Sequence, residues 1–255
     1  MKAIILILTL TSAYWIKIGF KDKQYPIIPA VEPVGTGYKM EENRLQVYAG
    51  RTESAPTSKY NSLGLPKDRQ WLTASEWKGE HLTGDKLIRF KEWKDKHIKS
   101  FIEWIALAVQ EERANYPDLI PSVIIAQSIL ESNFNKSRLS VEGNNLFGHK
   151  YRGDDANFLI CADDSPTDRF TIYRSRWYSL RAHTKLLYSK YRNRIQGKPT
   201  ADKWIAALCN GANSEQSRKA VDQGGYVYAT SCMNSCYQCK LKRVIDSYDL
   251  HRYDY

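Results

Sequence analysis

The carboxyl-terminal 160 residues carry apolar side chains at helical spacing, and this pattern restricts the chain to a mainly helical domain. Within residues 97–116, Ile98, Ile102, Ile105 and Val109 recur three or four positions apart. Pro121 occupies a first-turn position for a second helix over residues 121–133. The spacing predicts two consecutive helices that each bury an apolar face.

Three further helices are predicted where the apolar period resumes, over 176–191, 200–208 and 237–248. Between Asn144 and Phe170 the sequence is rich in Gly, Asp and Asn and has no helical period, which predicts loops and a short hairpin. The predicted fold class is therefore α+β, mainly helical, with a small irregular β lobe in a domain over 96–255.

The amino-terminal sequence is typical of an export segment. Residues 3–16 carry no charge, and Lys2 and Lys17 flank them. Fourteen residues are short for a bilayer span of ~20 but suit the apolar region of a signal peptide. We expect residues 1–17 to be a signal peptide or short membrane anchor, and the protein to be exported to the periplasm, cell envelope or exterior. The alternative is a buried amino-terminal strand or helix.

Residues 18–95 are predicted to form a tether that passes into a poorly defined extension. The segment begins with several Pro and Gly residues and becomes polar around residues 51–60. Its later part contains Trp71, Trp77 and Trp93, which indicates that this part packs against something.

Composition narrows the class of protein. With 42% apolar and 26% charged residues, the chain is neither fully disordered, collagen-like nor a polytopic membrane protein. The net charge of +10 favours a polyanionic partner such as nucleic acid, anionic lipid or a bacterial wall. Because the sequence contains no nucleic-acid-binding motif, we expect no nucleic-acid partner. We also expect the protein to be a monomer.

Five cysteines leave at least one thiol unpaired if the rest form disulfides. Cys232, Cys236 and Cys239 lie close together, and Cys209 precedes them. Structural thiols or one or two disulfides are the first interpretation. A zinc site with Cys209 as fourth ligand is the second. An iron–sulfur motif fits poorly, because little chain follows the cysteines.

Glu131 is the principal candidate for chemistry. It ends an apolar helix beside Leu130 and Phe134. Apolar surroundings disfavour the charged carboxylate, so we expect its pKa to rise. A raised pKa suits a general acid that protonates a glycosidic oxygen near neutral pH. The alternative is an ordinary solvated glutamate at a helix end.

Glu131 belongs to the first of four sequence motifs that follow one another along the chain. Residues 126–134 read AQSILESNF, residues 142–150 read EGNNLFGHK, residues 170–175 read FTIYRS, and Tyr228-Ala229-Thr230 precedes Tyr237. Over residues 97–255 the sequence resembles the glucosaminidase family of peptidoglycan hydrolases, glycoside hydrolase family 73. The resemblance implies a lysozyme-like fold, peptidoglycan glycan strands as the partner, cleavage of the β-1,4 bond after N-acetylglucosamine, and no cofactor or metal.

The family's second carboxylate, a Glu in the irregular lobe, is missing here. By position, Asp163 or Asp164 is the better match. Either would activate a water in an inverting reaction, with the carboxyls ~6.5–9.5 Å apart. Alternatively the N-acetyl group of the substrate attacks, held by Tyr228. The sequence leaves both mechanisms open.

The resemblance also implies substrate-binding residues. Tyr228 is preferred as the site tyrosine and Tyr226 is its alternative, because the family motif is stretched here by the cysteines. Asn144 and Asn145 carry amides that suit sugar hydroxyls or acetamido groups, or equally turn chemistry. Tyr173 lies in the FTIYRS motif and completes the predicted set.

Two rival functions remain. A lytic transglycosylase also has a helix ending in Glu-Ser, but its downstream G-L-M-Q run is replaced here by Asn-Asn-Leu-Phe-Gly. A non-catalytic wall-binding or structural protein would explain the missing second glutamate. Retention of Glu131 within its full motif argues against that class.

Overall fold

The computed structural model describes residues 59–153, 157–163 and 165–255. The predicted signal or anchor over 1–17, the tether up to residue 58 and Asp164 lie outside these described residues. No helix in the described ranges combines the length and apolar character needed to cross a bilayer.

Helices dominate the described part. The helices are α1 (Ala74–Lys78), α2 (Gly84–Glu112), α3 (Pro121–Ser132), α4 (Arg138–Glu142), α5 (Arg176–Ile195), α6 (Ala201–Cys209), α7 (Ser214–Asp222), α8 (Ser231–Asn234), α9 (Tyr237–Ser247) and a final 3₁₀ helix (Leu250–Tyr253). The strands are β1 (Phe158–Ile160) and β2 (Arg169–Thr171). The prediction of a mainly helical α+β fold with a small β lobe is confirmed.

Helix α3 forms the centre of the core. Every residue from Pro121 to Ile129 is buried, and the helix contacts α2, α6, α9 and the 3₁₀ helix. Its first turn has no capping side chain of its own. Instead Asp254 accepts hydrogen bonds from Ser122 N and Ser122 Oγ, both at 2.8 Å. A carboxylate at a helix amino terminus offsets the helix dipole, so the end of the chain fixes the start of the central helix.

The carboxyl end of α3 turns sharply. Asn133, Phe134 and Asn135 all adopt positive φ, between 51° and 60°, which costs energy for residues with a Cβ atom. The packing of the Phe134 ring against Trp77, Phe101 and Tyr248 offsets part of this cost. The turn stops the helix immediately after Glu131 and Ser132.

The β lobe is an antiparallel hairpin in which Phe158 pairs with Thr171 and Ile160 pairs with Arg169. It lies between α4 and α5 in the sequence, where loops and a short hairpin were predicted. Asn145 joins this lobe to the preceding loop, since its Nδ2 donates to the carbonyls of His149 and Thr171, each at 3.0 Å.

Helix α2 begins twelve residues before the predicted start near Lys96, so the predicted boundary at residue 95 lies inside a helix. The residues before α2 also contact the rest of the domain. Leu72 N donates to Lys136 O at 2.9 Å, and Trp71 Nε1 donates to Glu142 Oε1 at 2.9 Å. The expectation that the tryptophan-containing part packs against something agrees with these contacts.

Four cysteines form two disulfides of different kinds. Cys209–Cys232 is fully buried and links residues 23 positions apart, whereas Cys236–Cys239 spans three positions at the start of α9. Cys161 is a free thiol. The structure therefore agrees with the disulfide interpretation, and the cysteines are not arranged as the zinc or iron–sulfur alternatives require.

The two disulfides are expected to contribute unequally to stability. Loop-closure entropy predicts that Cys209→Ala/Cys232→Ala lowers the free energy of unfolding by about 3 kcal/mol, and Cys236→Ala/Cys239→Ala by about 1.5 kcal/mol. Urea unfolding of both double variants measures the difference. An equal loss from both pairs would contradict the assignment of Cys209–Cys232 as the main covalent constraint.

Candidate active site

Glu131 lies in the last turn of α3, between the partly buried Leu130 and the sharp turn that follows. Its side chain is exposed to solvent, although the residues on either side of it are largely buried. Tyr237, the first residue of α9, donates its hydroxyl hydrogen to Glu131 Oε1 at 3.3 Å. The carboxyl is therefore reachable from outside and held on one side by a buried phenol.

Gly148 approaches the other oxygen of the same carboxyl. It adopts φ +63°, and a Cβ atom on it would lie 3.9 Å from Glu131 Oε2. A glycine here permits both the left-handed backbone and an open space in front of the carboxyl. This explains in physical terms why the EGNNLFGHK motif and Glu131 belong to one site.

The environment raises the pKa of Glu131 above its ordinary value. Protein atoms packed around the carboxyl displace part of its hydration, which is the largest cause, and the negative charge of Asp163 acts in the same direction. The Tyr237 hydrogen bond and the positive charge of Lys240 oppose these effects. The expected raised pKa is thus present, and the carboxyl retains its proton to higher pH than a solvated glutamate does.

Asp163 belongs to the β lobe and acts on Glu131 through its charge. Its carboxylate is half exposed and lies 3.4 Å from Lys150 Nζ, which also contacts Asp168 at 3.1 Å. Its neighbour Asp164 lies outside the described residues, so the two aspartates stay alternatives for the second carboxylate.

The two candidate tyrosines occupy different places. The Tyr228 ring stacks on Tyr237 with centroids 5.7 Å apart, and burial followed by the charge of Glu131 raises the Tyr228 pKa. Tyr226 is 53% exposed and donates to the Lys190 carbonyl of α5 at 2.6 Å. The structure brings Tyr228 to Glu131, whereas the contacts of Tyr226 are with α5.

The other predicted binding residues support the loop. Asn145 is fully buried, and its side chain accepts from His149 N at 3.0 Å in addition to its two donated bonds. Asn144 Nδ2 donates to the Tyr173 carbonyl at 2.9 Å, and the Tyr173 hydroxyl lies 2.6 Å from His149 Nδ1. These contacts favour the turn alternative for both asparagines, while sugar binding by them stays a prediction.

Three residues of this site were not among the predicted ones. Tyr237 was noted only as part of a motif, yet it touches Glu131 directly. Gln127 and His183 form a buried pair behind the site, with His183 Nε2 3.1 Å from Gln127 Oε1. In the described part of the chain, no group of three or more His, Cys, Asp or Glu side chains is arranged to hold a metal ion.

The Glu131 carboxyl has a raised pKa at the end of a buried helix, and Asp163 of the β lobe acts on it through its charge. The general acids of glycosidases have a raised pKa of this kind. The profile of the glucosaminidase family, described as mannosyl-glycoprotein endo-β-N-acetylglucosaminidase, matches residues 106–250. This match covers more than half of the chain, and the chain belongs to the glucosaminidase family. The helical architecture with its two-stranded sheet agrees with the predicted mainly helical α+β class.

Individual relatives agree with this family. The chain is 24% identical over 136 residues to exo-glucosaminidase LytG of Bacillus subtilis (strain 168), which covers 53% of this chain and 46% of the relative. It is 34% identical over 167 residues to a probable N-acetylmuramidase of Lactococcus lactis subsp. cremoris, with 61% and 35% covered. The chain spans less than half the length of these curated relatives.

Among solved structures, the catalytic domain of the autolysin Auto from Listeria monocytogenes aligns with a TM-score of 0.44 and 25% identity. The alignment covers 68% of this chain and 99% of that domain.

Proposed function

We propose that this protein is a peptidoglycan hydrolase, an endo-β-N-acetylglucosaminidase that cleaves the β-1,4 bond after N-acetylglucosamine, with Glu131 as general acid. The observation that carries the proposal is the Glu131 carboxyl, which is open to solvent yet has a raised pKa. Such a group is protonated where most glutamates are not, so it can donate a proton to the leaving glycosidic oxygen.

The reaction starts with proton transfer from Glu131 to the oxygen of the scissile bond. As that bond breaks, an oxocarbenium-like centre develops at the sugar carbon. Asp163 or its neighbour Asp164 then activates a water that attacks this carbon from the opposite face, which inverts its configuration. The influence of the Asp163 charge on Glu131 supports its place in the same cleft.

Substrate-assisted attack by the N-acetyl group is the second mechanism. Tyr228 would then hold the acetamido group, and its position against Tyr237 beside Glu131 favours it over Tyr226 for this role. In either mechanism the chain needs no cofactor.

The net charge and the predicted export segment support a location at the cell envelope. A net charge of +10 suits association with an anionic wall. We propose that the protein acts as a monomer after export, with residues 1–17 as a signal or a membrane tether. Wall remodelling, autolysis and lysis by a phage protein are all compatible with this assignment.

Product analysis tests the proposal and separates it from its rivals. Purified peptidoglycan is digested with the full chain, reduced with borohydride and analysed by mass spectrometry. Glucosaminitol ends support the glucosaminidase, and large early fragments support endo cleavage. Muramitol ends would indicate an N-acetylmuramidase, anhydro-muramic ends a lytic transglycosylase, and intact glycan with bound protein a non-catalytic wall-binding protein.

Tyr237→Phe is expected to move the alkaline limb of the kcat/KM profile to higher pH. The Tyr237 hydrogen bond stabilises the Glu131 carboxylate, so its loss raises the pKa of Glu131 further. One hydrogen bond contributes about 0.5–1.5 kcal/mol, so kcat falls by up to about tenfold. Tyr253→Phe removes a hydroxyl that accepts from Arg252 in the final 3₁₀ helix, and this variant is expected to leave the limb in place. A limb that stays in place in Tyr237→Phe would contradict the role of Tyr237.

A further inference from the structure

The disulfide Cys236–Cys239 encloses a residue that contacts the proposed general acid. Residues 236–239 read Cys-Tyr-Gln-Cys, so Tyr237 lies between the two cysteines in the first turn of α9. Its hydroxyl donates to Glu131 Oε1 at 3.3 Å. The disulfide therefore closes a short loop that contains a hydrogen-bond donor to Glu131.

The first turn of α9 depends on this disulfide. Cys236 is the N-cap of the helix, and its φ of 50° is a left-handed conformation that costs energy for a residue with a Cβ atom. The first turn contains no acidic side chain that would offset the helix dipole. Instead Cys236 Sγ accepts from Cys239 N at 3.3 Å, and the disulfide joins the same two residues. The covalent link thus holds Cys236 in a conformation that local preferences disfavour.

The contact between Tyr237 and Glu131 is sensitive to small movements of α9. Hydrogen bonds between two oxygens are usually about 2.5–3.0 Å long, and this one is already longer, at 3.3 Å. The Tyr237 ring is buried, and its centroid lies 5.7 Å from that of Tyr228. Ring packing keeps the side chain in the core, but it is not directional. The reach of the hydroxyl therefore depends on where the first turn of α9 begins.

We propose that Cys236 and Cys239 are positioning residues, whose disulfide holds the first turn of α9 so that the Tyr237 hydroxyl reaches Glu131, and that reduction of this disulfide breaks the contact. This inference rests on the proposed function for its catalytic meaning. Once reduced, Cys236 is free to leave the left-handed conformation, and the first turn of α9 loses the alignment that brings Tyr237 to the carboxyl.

A reductant reaches this disulfide more readily than the other one. Cys239 is exposed and Cys236 is half-buried, whereas Cys209 and Cys232 are fully buried. A thiolate of a dithiol reductant attacks Cys239 Sγ, the S–S bond breaks, and its electron pair leaves on Cys236 Sγ. The second thiol of the reductant then displaces the Cys239 sulfur. The pair gains two electrons and two protons, and the reductant becomes a disulfide.

The test uses the full chain with the substitution Cys161→Ser, which removes the free thiol. Dithiothreitol is added stepwise, and alkylation followed by mass spectrometry identifies the concentration at which Cys236 and Cys239 are modified while Cys209–Cys232 stays intact. Reoxidation of the same sample checks that the change is reversible.

Two variants separate positioning from other effects of reduction. Cys236→Ser/Cys239→Ser opens the loop without a reductant, and serine carries no thiolate charge that could act on Glu131. Thr200→Ala is the matched control, because Thr200 caps the start of α6 by accepting from Lys203 N at 3.4 Å. It loosens the start of a different helix.

The first measurement is the titration of the Glu131 carboxyl by ¹³C NMR, which needs no activity. Reduction and the double serine variant are both expected to raise its pKa, because the Tyr237 bond stabilises the carboxylate. Reoxidation restores the wild-type value, and Thr200→Ala leaves it in place. The other groups that face Glu131 are retained in every sample, and they are Asp163 of the β lobe, Lys240 of α9 and Tyr228 of the segment before α8.

The Tyr237→Phe variant shows whether the disulfide acts through Tyr237. In this variant the bond to Glu131 is already absent, so we expect reduction to leave the Glu131 titration unchanged. A shift as large as that in the wild-type chain would overturn the proposal. An unchanged titration after reduction of the wild-type disulfide, or in the double serine variant, would overturn it as well.

Kinetics measure the catalytic consequence. We expect kcat of the reduced chain to fall by up to about tenfold, with KM changed less than about twofold, because the lost bond acts on the acid and not on substrate binding. The alkaline limb of the pH profile moves to higher pH. If the wild-type chain cleaves no glycan, the proposed function fails while the titration still decides the positioning role. A fall in kcat without movement of the limb would count against positioning.

Discussion

Glu131→Gln is expected to lower kcat for glycan cleavage by about 10²–10⁴-fold, the contribution typical of a general acid. The amide keeps the size of the carboxyl, and its oxygen can still accept from Tyr237, so the surrounding fold is preserved. What the variant lacks is a proton for the leaving oxygen. Quantification of glucosaminitol ends after borohydride reduction measures the loss.

Glu142→Gln is the matched control. Glu142 belongs to the EGNNLFGHK motif, but it pairs with Arg138 at 2.8 Å and accepts from Trp71, at the surface of α4. We expect near wild-type kcat from this variant. If Glu131→Gln retained more than about a tenth of the wild-type kcat, the assignment of Glu131 as the acid would be wrong.

The long helices of this fold could be predicted from the sequence because each buries one continuous apolar face. The predicted ranges for α3, α5, α6 and α9 agree with the structure within a few residues. Helices α1, α4 and α8 have five residues or fewer, which is too short to display a period of 3.6. Helix α7 buries only Ser217, so its helical face carries no apolar signal.

The first half of α2 was missed for a different reason. Residues 84–96 are dominated by charged side chains, and the strongly buried residue among them is Phe90. Its helical state depends on tertiary contacts of aromatic rings, such as Phe90 with His81 at 6.5 Å and Trp93 with Trp77 at 6.4 Å. The first half of α2 is therefore stabilised by packing against other segments, which the spacing of its apolar residues does not predict.

The same distinction holds at the site. Glu131 could be found from its place at the end of an apolar helix, and the rise in its pKa follows from the loss of hydration on the side that faces the protein. Its contact with Tyr237 joins residues 106 positions apart, and the His183–Gln127 contact joins residues 56 positions apart. Hydrogen bonds of this kind depend on how the helices pack. The sequence therefore identifies candidate residues but does not predict which of them are in contact.

Asp163→Ala is expected to lower kcat by about 10²–10⁴-fold, because the proposed inverting reaction needs a base to activate the attacking water. The same change removes a negative charge that raises the pKa of Glu131, so the alkaline limb of the pH profile moves to lower pH. This direction is opposite to that expected for Tyr237→Phe. A variant that only destabilises the β lobe would reduce activity without moving the alkaline limb of the pH profile to lower pH.

Azide distinguishes the two mechanisms in the Asp163→Ala background. Azide needs no base, so it can attack the sugar carbon in place of water and restore bond cleavage with an inverted glycosyl azide as product. If Asp164 is the base instead, Asp164→Ala shows the loss of kcat and the azide product, and Asp163→Ala shows neither. Should both Asp163→Ala and Asp164→Ala lose less than about tenfold and form no azide product, the N-acetyl group of the substrate is the nucleophile, and the part played by Asp163 reduces to its charge on Glu131.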